Sequence, residues 1–232
     1  MGTIQLSFEI PFPVIQDFSP LEDFPFLLAQ HADRYKGRYP EALIRKAILD
    51  NGMYELGESV SVEGLAEAAK RLHPQTVIAP DWMGECNRTL EATEALDRLL
   101  HGSGIYVGGV VQGKDLEERI FCFQHLEALR CTPICFPFRT PRDETIHALI
   151  MQDLLDDDAW YHLLGLQHLR ELWDLRPGFW SVDTGKPFKG VSFQGLEQIR
   201  GLGRLDLEKP LTDYDTRVAL WNIAYMRRLA NL

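Results

Sequence analysis

Short apolar segments recur along the chain, and stretches with a helical spacing of apolar residues separate most of them. Seven of these segments have the length of buried strands, namely 24–30, 47–50, 76–81, 105–111, 133–138, 161–166 and 179–182. Amphipathic helices are predicted over 61–72, 88–100, 116–129, 144–155, 169–175 and 213–229. Because strands that alternate with helices usually lie parallel in one sheet, the pattern predicts an α/β fold.

The number of strand–helix units favours a closed (β/α)8 TIM-like barrel over the alternative, an open Rossmann-like sheet. The remaining strand is expected near the N-terminus or within 191–212. No stretch is rich enough in Pro, Gly or Ser to act as a linker, so residues 1–232 are predicted to form a single domain. Residues 1–20 contain three prolines and are expected to form an extended N-terminal arm or edge strand, and residues 213–232 a C-terminal helix.

Composition adds a large core and an acidic surface to this picture. Hydrophobic residues make up 45% of the chain, and 24 Lys and Arg against 34 Asp and Glu give a net charge of −10. This charge disfavours non-specific binding to nucleic acids, although a local basic patch is compatible with it. The sequence has no cationic leader and no apolar run of about 18 residues, so a cytoplasmic protein without a membrane partner is expected.

The four cysteines do not have the spacing of a structural zinc site. Cys86, Cys122, Cys131 and Cys135 lack the close-set ligand pairs that such sites use. They are therefore predicted to be buried free thiols, as is common for cysteines in a reducing compartment. No metal and no cofactor is predicted, and the barrel is expected to lack a zinc-binding subdomain.

Polar residues stand where the predicted strands end: His31, Asp50, Asp81, Gln112, Arg139 and Asp183. In a barrel these residues share one rim, which is where α/β barrels carry their chemistry. Carboxylates held close together are costly, and such groups are typical of sites that need an acid, a base or a nucleophile. A carboxylate and a primary amide would also suit a purine edge, because the carboxylate accepts from N–H groups while the amide donates to a carbonyl oxygen.

Each of these residues also has a purely structural interpretation. Asp50 and Asp183 stand in turn-like sequences, Asp81 is placed to cap the following helix, and Gln112 would simply end a strand. The segment 108–113 is only weakly similar to a phosphate-binding loop, because no Lys-Ser/Thr pair follows it. The occurrence of these residues at successive strand ends favours a site over separate turns and caps.

Over about residues 24–187, the order of the motifs resembles the tRNA-guanine transglycosylase superfamily, including its phage-encoded DNA-guanine relatives. Residues 49–52 (Leu-Asp-Asn-Gly) resemble the Asp-Ser-Gly-Gly segment of the family, with Asn51 where Ser is usual. Residues 109–113 (Gly-Val-Val-Gln-Gly) closely match its Gly-x-Val-Gln-Gly motif, which is the most specific of these likenesses.

Three further segments are similar to family motifs in the same order. They are Pro80-Asp81 for a strand-end Asp, residues 163–166 for a Leu-x-Gly-Val/Leu strand, and residues 181–183 (Ser-Val-Asp) for the segment with the nucleophile. The order of the motifs is more specific than any one of them. The Gly-rich segment that lines the base pocket of the family has no match, and residues 136–138 (Phe-Pro-Phe) stand in its place.

The resemblance implies base exchange in a nucleic acid. Asp183 would attack C1′ of a guanosine and form a covalent glycosyl-enzyme, and Asp50 would act as general acid/base or hold the incoming base. Asp81, Gln112 and Gly113 would bind the base, and a 7-deazaguanine such as preQ0 would replace guanine. A carboxylate suits the first role, because displacement at an anomeric carbon passes through an oxocarbenium-like state. The target base would have to leave its stack to reach the barrel.

One departure from the family favours DNA over tRNA as the substrate. The chain has no Cys after Cys135 and so lacks the Cys-rich zinc subdomain of the tRNA enzymes. A compact phage-encoded, DNA-modifying enzyme that works in the host cytoplasm fits this better. Five basic residues are expected on the rim loops, where they would hold the nucleic-acid backbone: Lys114, Arg139, Arg142, Lys186 and Lys189.

The sequence is also compatible with three alternative functions. They are a tRNA-guanine transglycosylase, a glycosidase or nucleoside hydrolase that uses the same carboxylates with water, and a non-catalytic homologue that acts as a partner subunit. The presence of both Asp50 and Asp183 disfavours the non-catalytic reading. The apolar face of the C-terminal helix, with Trp221, Tyr225 and Met226, would pack on the barrel or on a second subunit of a homo-oligomer.

Overall fold

The computed structural model describes residues 4–156, 158–174, 181–188, 207–208 and 210–231. Its strands are β1 (Gln5–Phe8), β2 (Phe26–Leu28), β3 (Ile48–Asp50), β4 (Thr76–Ile78), β5 (Tyr106–Val110), β6 (Ile134–Pro137), β7 (Tyr161–Leu164) and β8 (Ser181–Thr184). Its α-helices are α1 (Ile15–Phe18), α2 (Ala32–Tyr35), α3 (Glu41–Ile44), α4 (Met53–Leu56), α5 (Val62–Leu72), α6 (Cys86–Leu100), α7 (Leu116–Ala128), α8 (Arg142–Met151), α9 (Glu171–Asp174) and α10 (Asp213–Ala230). Short 3-10 helices occupy 12–14, 19–21, 29–31 and 186–188.

The strands form the predicted α/β barrel. Strands β2 to β8 are neighbours in chain order and β1 pairs with β8, which gives a nearly closed barrel of parallel strands. The expectation of a (β/α)8 TIM-like fold is therefore confirmed. Each of the seven predicted segments contains or overlaps a strand, and the remaining strand is the N-terminal one, β1. The alternative location, 191–212, lies largely outside the described residues.

The sequence predicted the C-terminal end of the chain better than the N-terminal end. The N-terminal segment is extended only in β1, whereas residues 12–21 form short helices, with prolines in the first turn of both 3-10 helices. The C-terminal helix α10 agrees with the prediction and begins with a capping box between Thr212 and Asp215. Within the described ranges, no helix combines the length and the apolarity needed to cross a membrane.

Apolar residues pack in two layers, because side chains of a strand alternate between its two faces. The barrel interior holds a compact cluster: Phe24, Phe26, Leu28, Ile48, Ile78, Val110 and Cys135. The larger layer lies between the strands and the surrounding helices and includes Leu6, Val77, Phe123 and Val182. Gly109 allows α7 to pack closely on β5, since a Cβ there would lie 2.4 Å from a methyl group of Leu126.

Two acidic side chains support the edge of β1 that faces β2. The Leu6 N–H donates to Oδ2 of Asp23 (2.8 Å), and the Phe8 N–H donates to Oε1 of Glu22 (3.0 Å). Glu22 is buried and also accepts from the hydroxyl groups of Ser7 and Tyr39. These carboxylates occupy N–H groups that a neighbouring strand would otherwise bind, so they help to close the barrel between its first two strands.

We expect the stability of the protein to depend on pH through Glu22. Burial raises the pKa of Glu22 from 4.5 to about 8, although its three hydrogen-bond donors act in the opposite direction. The unfolded chain binds fewer protons than the folded one between these values, so the free energy of unfolding should fall as pH rises from about 4.5 to about 8. Glu22→Gln, which resembles the protonated acid, should remove this part of the pH dependence.

Thermal unfolding of wild type and Glu22→Gln between pH 5 and pH 8.5 checks this expectation. Asp17→Gln is a suitable control, because Asp17 is exposed. Equal pH dependence of the wild type and Glu22→Gln would show that Glu22 ionises normally in the folded protein.

Candidate active site

The carboxyl ends of the strands meet at one end of the barrel, which we call the mouth. It is bordered by residues at or just after the strand ends: Gln30, Asp50, Asp81, Gln112, Phe138, Gly165 and Asp183. A cavity of about 520 Å³ lies at the opposite end, lined by residues that precede strands, such as Lys46, Gln75 and Trp160. The predicted polar residues are at the mouth, where parallel barrels place their chemistry, and not in this cavity.

Asp183 is a strand residue with a partly occupied carboxylate. It lies within β8, not in the following turn, and is only 4% exposed. Its Oδ1 accepts from Nε2 of His162 (3.1 Å) and from the Gly165 N–H (2.8 Å). Its Oδ2 has no hydrogen-bond partner among the described residues. The interpretation of Asp183 as a turn or cap residue is therefore wrong, because both donors come from the neighbouring strand β7 and the residue that follows it.

A line of polar side chains continues from Asp183 into the barrel interior. Nδ1 of His162 lies 2.8 Å from Oγ of Ser181, and the indole N–H of Trp160 donates to the same oxygen (2.6 Å). His162 is fully buried, and its ring stacks on Phe26 with a centroid distance of 5.6 Å. The parallel register places His162 beside Ser181, so both side chains point inward from adjacent strands.

These residue types also form the triad of serine hydrolases, but the geometry here is different. In such a triad the serine is exposed to substrate and its hydroxyl is free to lose a proton to histidine. Here Ser181 is fully buried, its oxygen already accepts a hydrogen bond from Trp160, and the member nearest the mouth is Asp183. The side chain at the mouth end of this line is therefore a carboxylate and not a hydroxyl.

Asp81 and Gln112 bind each other. Oδ2 of Asp81 accepts from Nε2 of Gln112 (2.6 Å), and its Oδ1 accepts from Nδ2 of Asn51 (2.8 Å). Oε1 of Gln112 in turn accepts from the Gly84 N–H (3.1 Å). Burial raises the pKa of Asp81, and the hydrogen bonds from Asn51 and Gln112 oppose this effect. Asp81 thus does not cap α6, and the predicted carboxylate–amide pair exists as an internal network.

Asp50 ends β3 and takes part in the turn that follows. Its Oδ2 accepts from the Gly52 N–H (2.8 Å), so the structural interpretation of Asp50 is correct as far as this oxygen is concerned. Burial raises the pKa of the Cys135 thiol, and three nearby negative carboxylates raise it further. They belong to Asp50, Asp81 and Asp183. The three predicted acids are therefore all near enough to the buried Cys135 to act on its thiol.

An aromatic surface borders the mouth beside these acids. Tyr54 is 52% exposed, and its ring contacts Phe138 edge to face with a centroid distance of 5.2 Å. The guanidinium of Arg139 lies 4.6 Å from the centre of the Tyr54 ring. Phe138 lies against Gly165, where a Cβ would lie 2.9 Å from the Phe138 ring. The aromatic surface is therefore linked by direct contact to the residue that donates to Asp183.

The predicted backbone-binding residues have different surroundings. Lys114 is exposed and forms an ion pair with Glu118 (2.9 Å), Arg139 is exposed at the aromatic surface, and Lys186 is half-buried after β8. Lys189 lies outside the described residues.

Gly113, which was predicted to bind the base, is buried and touches no open space, since a Cβ there would lie 2.7 Å from the backbone nitrogen of Arg119. Gly113 therefore allows close packing of the start of α7.

The prediction for Arg142 is wrong. Arg142 is only 1% exposed, and its guanidinium binds Oε1 of Glu171 through Nη2 (2.5 Å) and Nε (3.0 Å). Its Nη1 donates to the carbonyl oxygens of Leu164 and Gly165. The guanidinium thus holds the end of β7 and has no free face for a phosphate. Arg139 and Arg142 both follow β6 closely, and the sequence of residues 139–144 (Arg-Thr-Pro-Arg-Asp-Glu) does not show which of the two is buried.

His162, Ser181 and Tyr54 were not identified from the sequence as site residues. Two of them carry a usable signal, because Ser181 is two positions before Asp183 and His162 is two positions before Leu164, so each faces the barrel interior by strand alternation. Their contact depends on the pairing of β7 with β8, which the sequence pattern does not specify in register. Tyr54 stands in a helix-like segment, and nothing local marks it as exposed at the mouth.

The four cysteines are free thiols, as the sequence predicts. Cys86, Cys122 and Cys135 are buried, Cys131 is half-buried, and all four are free thiols. In the part of the chain that the structure describes, no group of three or more His, Cys, Asp or Glu side chains is placed to hold a metal ion.

No protein-family model matches the chain, and no curated protein has a significantly similar sequence.

We expect Arg142 to be essential for stability. Arg142→Met should lower the free energy of unfolding by about 3–5 kcal/mol, because it leaves the buried carboxylate of Glu171 without its cation. Arg139→Met is the matched control and should change stability by less than about 1 kcal/mol, since Arg139 is exposed. Urea unfolding of both variants measures the difference, and equal stabilities would show that Arg142 is not the structural cation described above.

Proposed function

We propose that this protein is a base-exchange transglycosylase that replaces guanine in DNA with a 7-deazaguanine such as preQ0, through a covalent intermediate on Asp183. The order of motifs along the sequence suggests this reaction, and one structural observation carries the proposal. Asp183 lies at the mouth with one oxygen held by two donors and the other without a partner among the described residues. A carboxylate of this kind is suited to attack a carbon atom in a fixed direction.

The proposed reaction has two displacements at the same carbon. First, Oδ2 of Asp183 bonds to C1′ of the guanosine while the bond from C1′ to N9 breaks, and guanine leaves with a proton. Next, N9 of the 7-deazaguanine bonds to C1′, the bond from C1′ to Asp183 breaks, and N9 loses its proton. Asp50 is the carboxylate available to give the first proton and to take the second, because it lies near Cys135, as Asp183 does. No oxidation or reduction takes place.

The base would be held beside the aromatic surface and the Asp81–Gln112 pair. Each oxygen of Asp81 accepts one hydrogen bond and has a lone pair left for a second donor, and Nε2 of Gln112 has a second hydrogen besides the one that it donates to Asp81. A ligand that offers N–H donors to Asp81 and a carbonyl oxygen to Gln112 matches these groups. Guanine and 7-deazaguanines both have these groups, whereas adenine has no such carbonyl oxygen.

The backbone of the nucleic acid would contact a limited basic surface. Lys114 and Arg139 are exposed near the mouth, while the chain as a whole carries a net charge of −10. A few phosphate contacts on an otherwise acidic protein favour binding at the mouth over binding elsewhere. A base flipped out of its stack would enter between these residues and rest on Tyr54.

The first test is label exchange. Purified protein is incubated with labelled 7-deazaguanine and with DNA or tRNA, and incorporation into each is measured. We expect incorporation into DNA, and we expect Asp183→Asn to lower its rate by about 1,000-fold or more, because an amide is a poor nucleophile. A protein–DNA adduct that survives denaturation should form with the wild type only. Asp17→Asn is the matched control at an exposed position.

Each other outcome of this experiment selects an alternative. Incorporation into tRNA only would show that the DNA assignment is wrong. Release of guanine without incorporation would identify a hydrolase that uses water as the acceptor. Binding of nucleic acid without any exchange would identify a non-catalytic partner subunit. Exchange that is unchanged in Asp183→Asn would contradict the role of Asp183.

A second prediction concerns the aromatic surface. Tyr54→Ala should weaken binding of the nucleic acid about 5- to 150-fold, because stacking of a base on an aromatic ring contributes about 1–3 kcal/mol. Tyr54→Phe should keep most of the affinity. Tyr106→Ala is the matched control, since Tyr106 is equally exposed (56%) but begins β5 at the opposite end of the barrel. Fluorescence anisotropy with a labelled oligonucleotide measures these affinities. Equal losses of affinity in Tyr54→Ala and Tyr106→Ala would contradict the proposed binding of the base at Tyr54.

A further inference from the structure

Four side chains form a continuous line of hydrogen bonds inside the barrel, and we call it the Trp160–Asp183 chain. It runs from the indole of Trp160 to Ser181, then to the imidazole of His162, and ends on the carboxylate of Asp183. The three contacts measure 2.6, 2.8 and 3.1 Å. Trp160 also lines the cavity at the end opposite the mouth, so the chain spans the barrel from one end to the other.

The direction of these hydrogen bonds follows from the group at each end. The indole nitrogen of Trp160 can only donate, so the Ser181 oxygen accepts from it. The hydroxyl hydrogen of Ser181 then remains for another acceptor, and the only one within reach among the described residues is Nδ1 of His162. At the other end Oδ1 of Asp183 already acts as an acceptor for the Gly165 N–H, so Nε2 of His162 carries the hydrogen of this contact.

The opposite arrangement leaves hydrogen bonds unmade in a fully buried place. If Nδ1 carried the hydrogen, the Ser181 oxygen would accept twice and its own hydrogen would have no partner. Nε2, without a hydrogen, would then face the lone pairs of a carboxylate oxygen. Ser181 and His162 are both fully buried, so water does not compensate these losses.

We propose that Trp160 and Ser181 fix the tautomer of His162, and that His162 acts as a positioning residue for Asp183. With its hydrogen on Nε2, His162 joins the Gly165 N–H in holding Oδ1 of Asp183, while Oδ2 has no partner among the described residues. The tautomer is independent of the reaction, whereas the positioning role rests on the proposed function. The stacking of the imidazole on Phe26 adds to the rigidity of the arrangement.

Nitrogen NMR of the full wild-type chain, labelled at histidine, tests the tautomer. We expect one histidine, assigned by its loss in His162→Gln, to show a protonated Nε2 and a non-protonated Nδ1 that accepts a hydrogen bond. A protonated Nδ1 in the wild type would overturn the inference, whether or not the protein exchanges bases. Because the tautomer is read from the wild type and the variant serves only for assignment, the result does not depend on whether substitutions at Ser181 are stable.

Ser181→Ala tests how the tautomer acts on Asp183. It should shift the nitrogen signals of His162 and lower kcat of base exchange by up to about 100-fold with little change in KM, because Asp183 loses its fixed orientation but binding groups are kept. Ser7→Ala is the matched control, since Ser7 is also a fully buried serine beside Asp183 in the sheet but binds Glu22 instead of His162.

The outcomes separate the inference from the proposed function. Shifted His162 signals together with a kcat equal to that of Ser7→Ala would overturn the positioning role. A recovery of kcat in Ser181→Thr, which restores the hydroxyl, would support it. Absence of exchange in the wild type would overturn the proposed function and with it the positioning role, while the tautomer measured by NMR would stand or fall on its own.

Discussion

A carboxylate buried inside a barrel must receive hydrogen bonds from the strands around it, and this requirement organises the interior of the protein. Asp183 takes donors from His162 and Gly165, and Asp81 takes them from Asn51 and Gln112. In both cases the donors come from neighbouring strands or the loops that follow them. An unpaired carboxylate would cost several kcal/mol in this setting, so each acid links adjacent strands and depends on their register.

The same requirement distinguishes Asp183 from the acids whose two oxygens both accept hydrogen bonds. Glu22 has both oxygens occupied at the edge of β1, and Glu171 has both occupied by Arg142 and by two backbone N–H groups. Asp183 differs, because all its described bonds end on a single oxygen. The buried ion pair of Arg142 with Glu171 further fixes the end of β7, where Gly165 begins the loop that reaches Asp183. A buried ion pair thus fixes the position of Gly165, whose N–H donates to the carboxylate of Asp183.

The mouth combines three features with different tolerance for change. The aromatic surface around Tyr54 is exposed and contacts few buried groups, so its side chains can vary without loss of the fold. The Asp81–Gln112 pair is buried, and its internal hydrogen bonds with Asn51 and Gly84 fix the orientation of both side chains. The Trp160–Asp183 chain is the most constrained, because each member has its partner on an adjacent strand. The exposed aromatic rings and the buried acids are therefore separate layers of the same opening.

The alternation of short apolar segments with stretches of helical spacing was sufficient to predict the barrel. The local pattern of apolar residues determines which segments become strands and which become helices. It also placed Asp50, Asp81 and Gln112 at strand ends. What the pattern could not determine was the partner of each polar side chain, because hydrogen bonds such as those from His162 to Asp183 and from Arg142 to Glu171 join residues 21 and 29 positions apart. Only the pairing and register of the strands decided that Arg142 is buried, that Ser181 contacts His162, and that both donors to the Asp183 carboxylate bind the same oxygen.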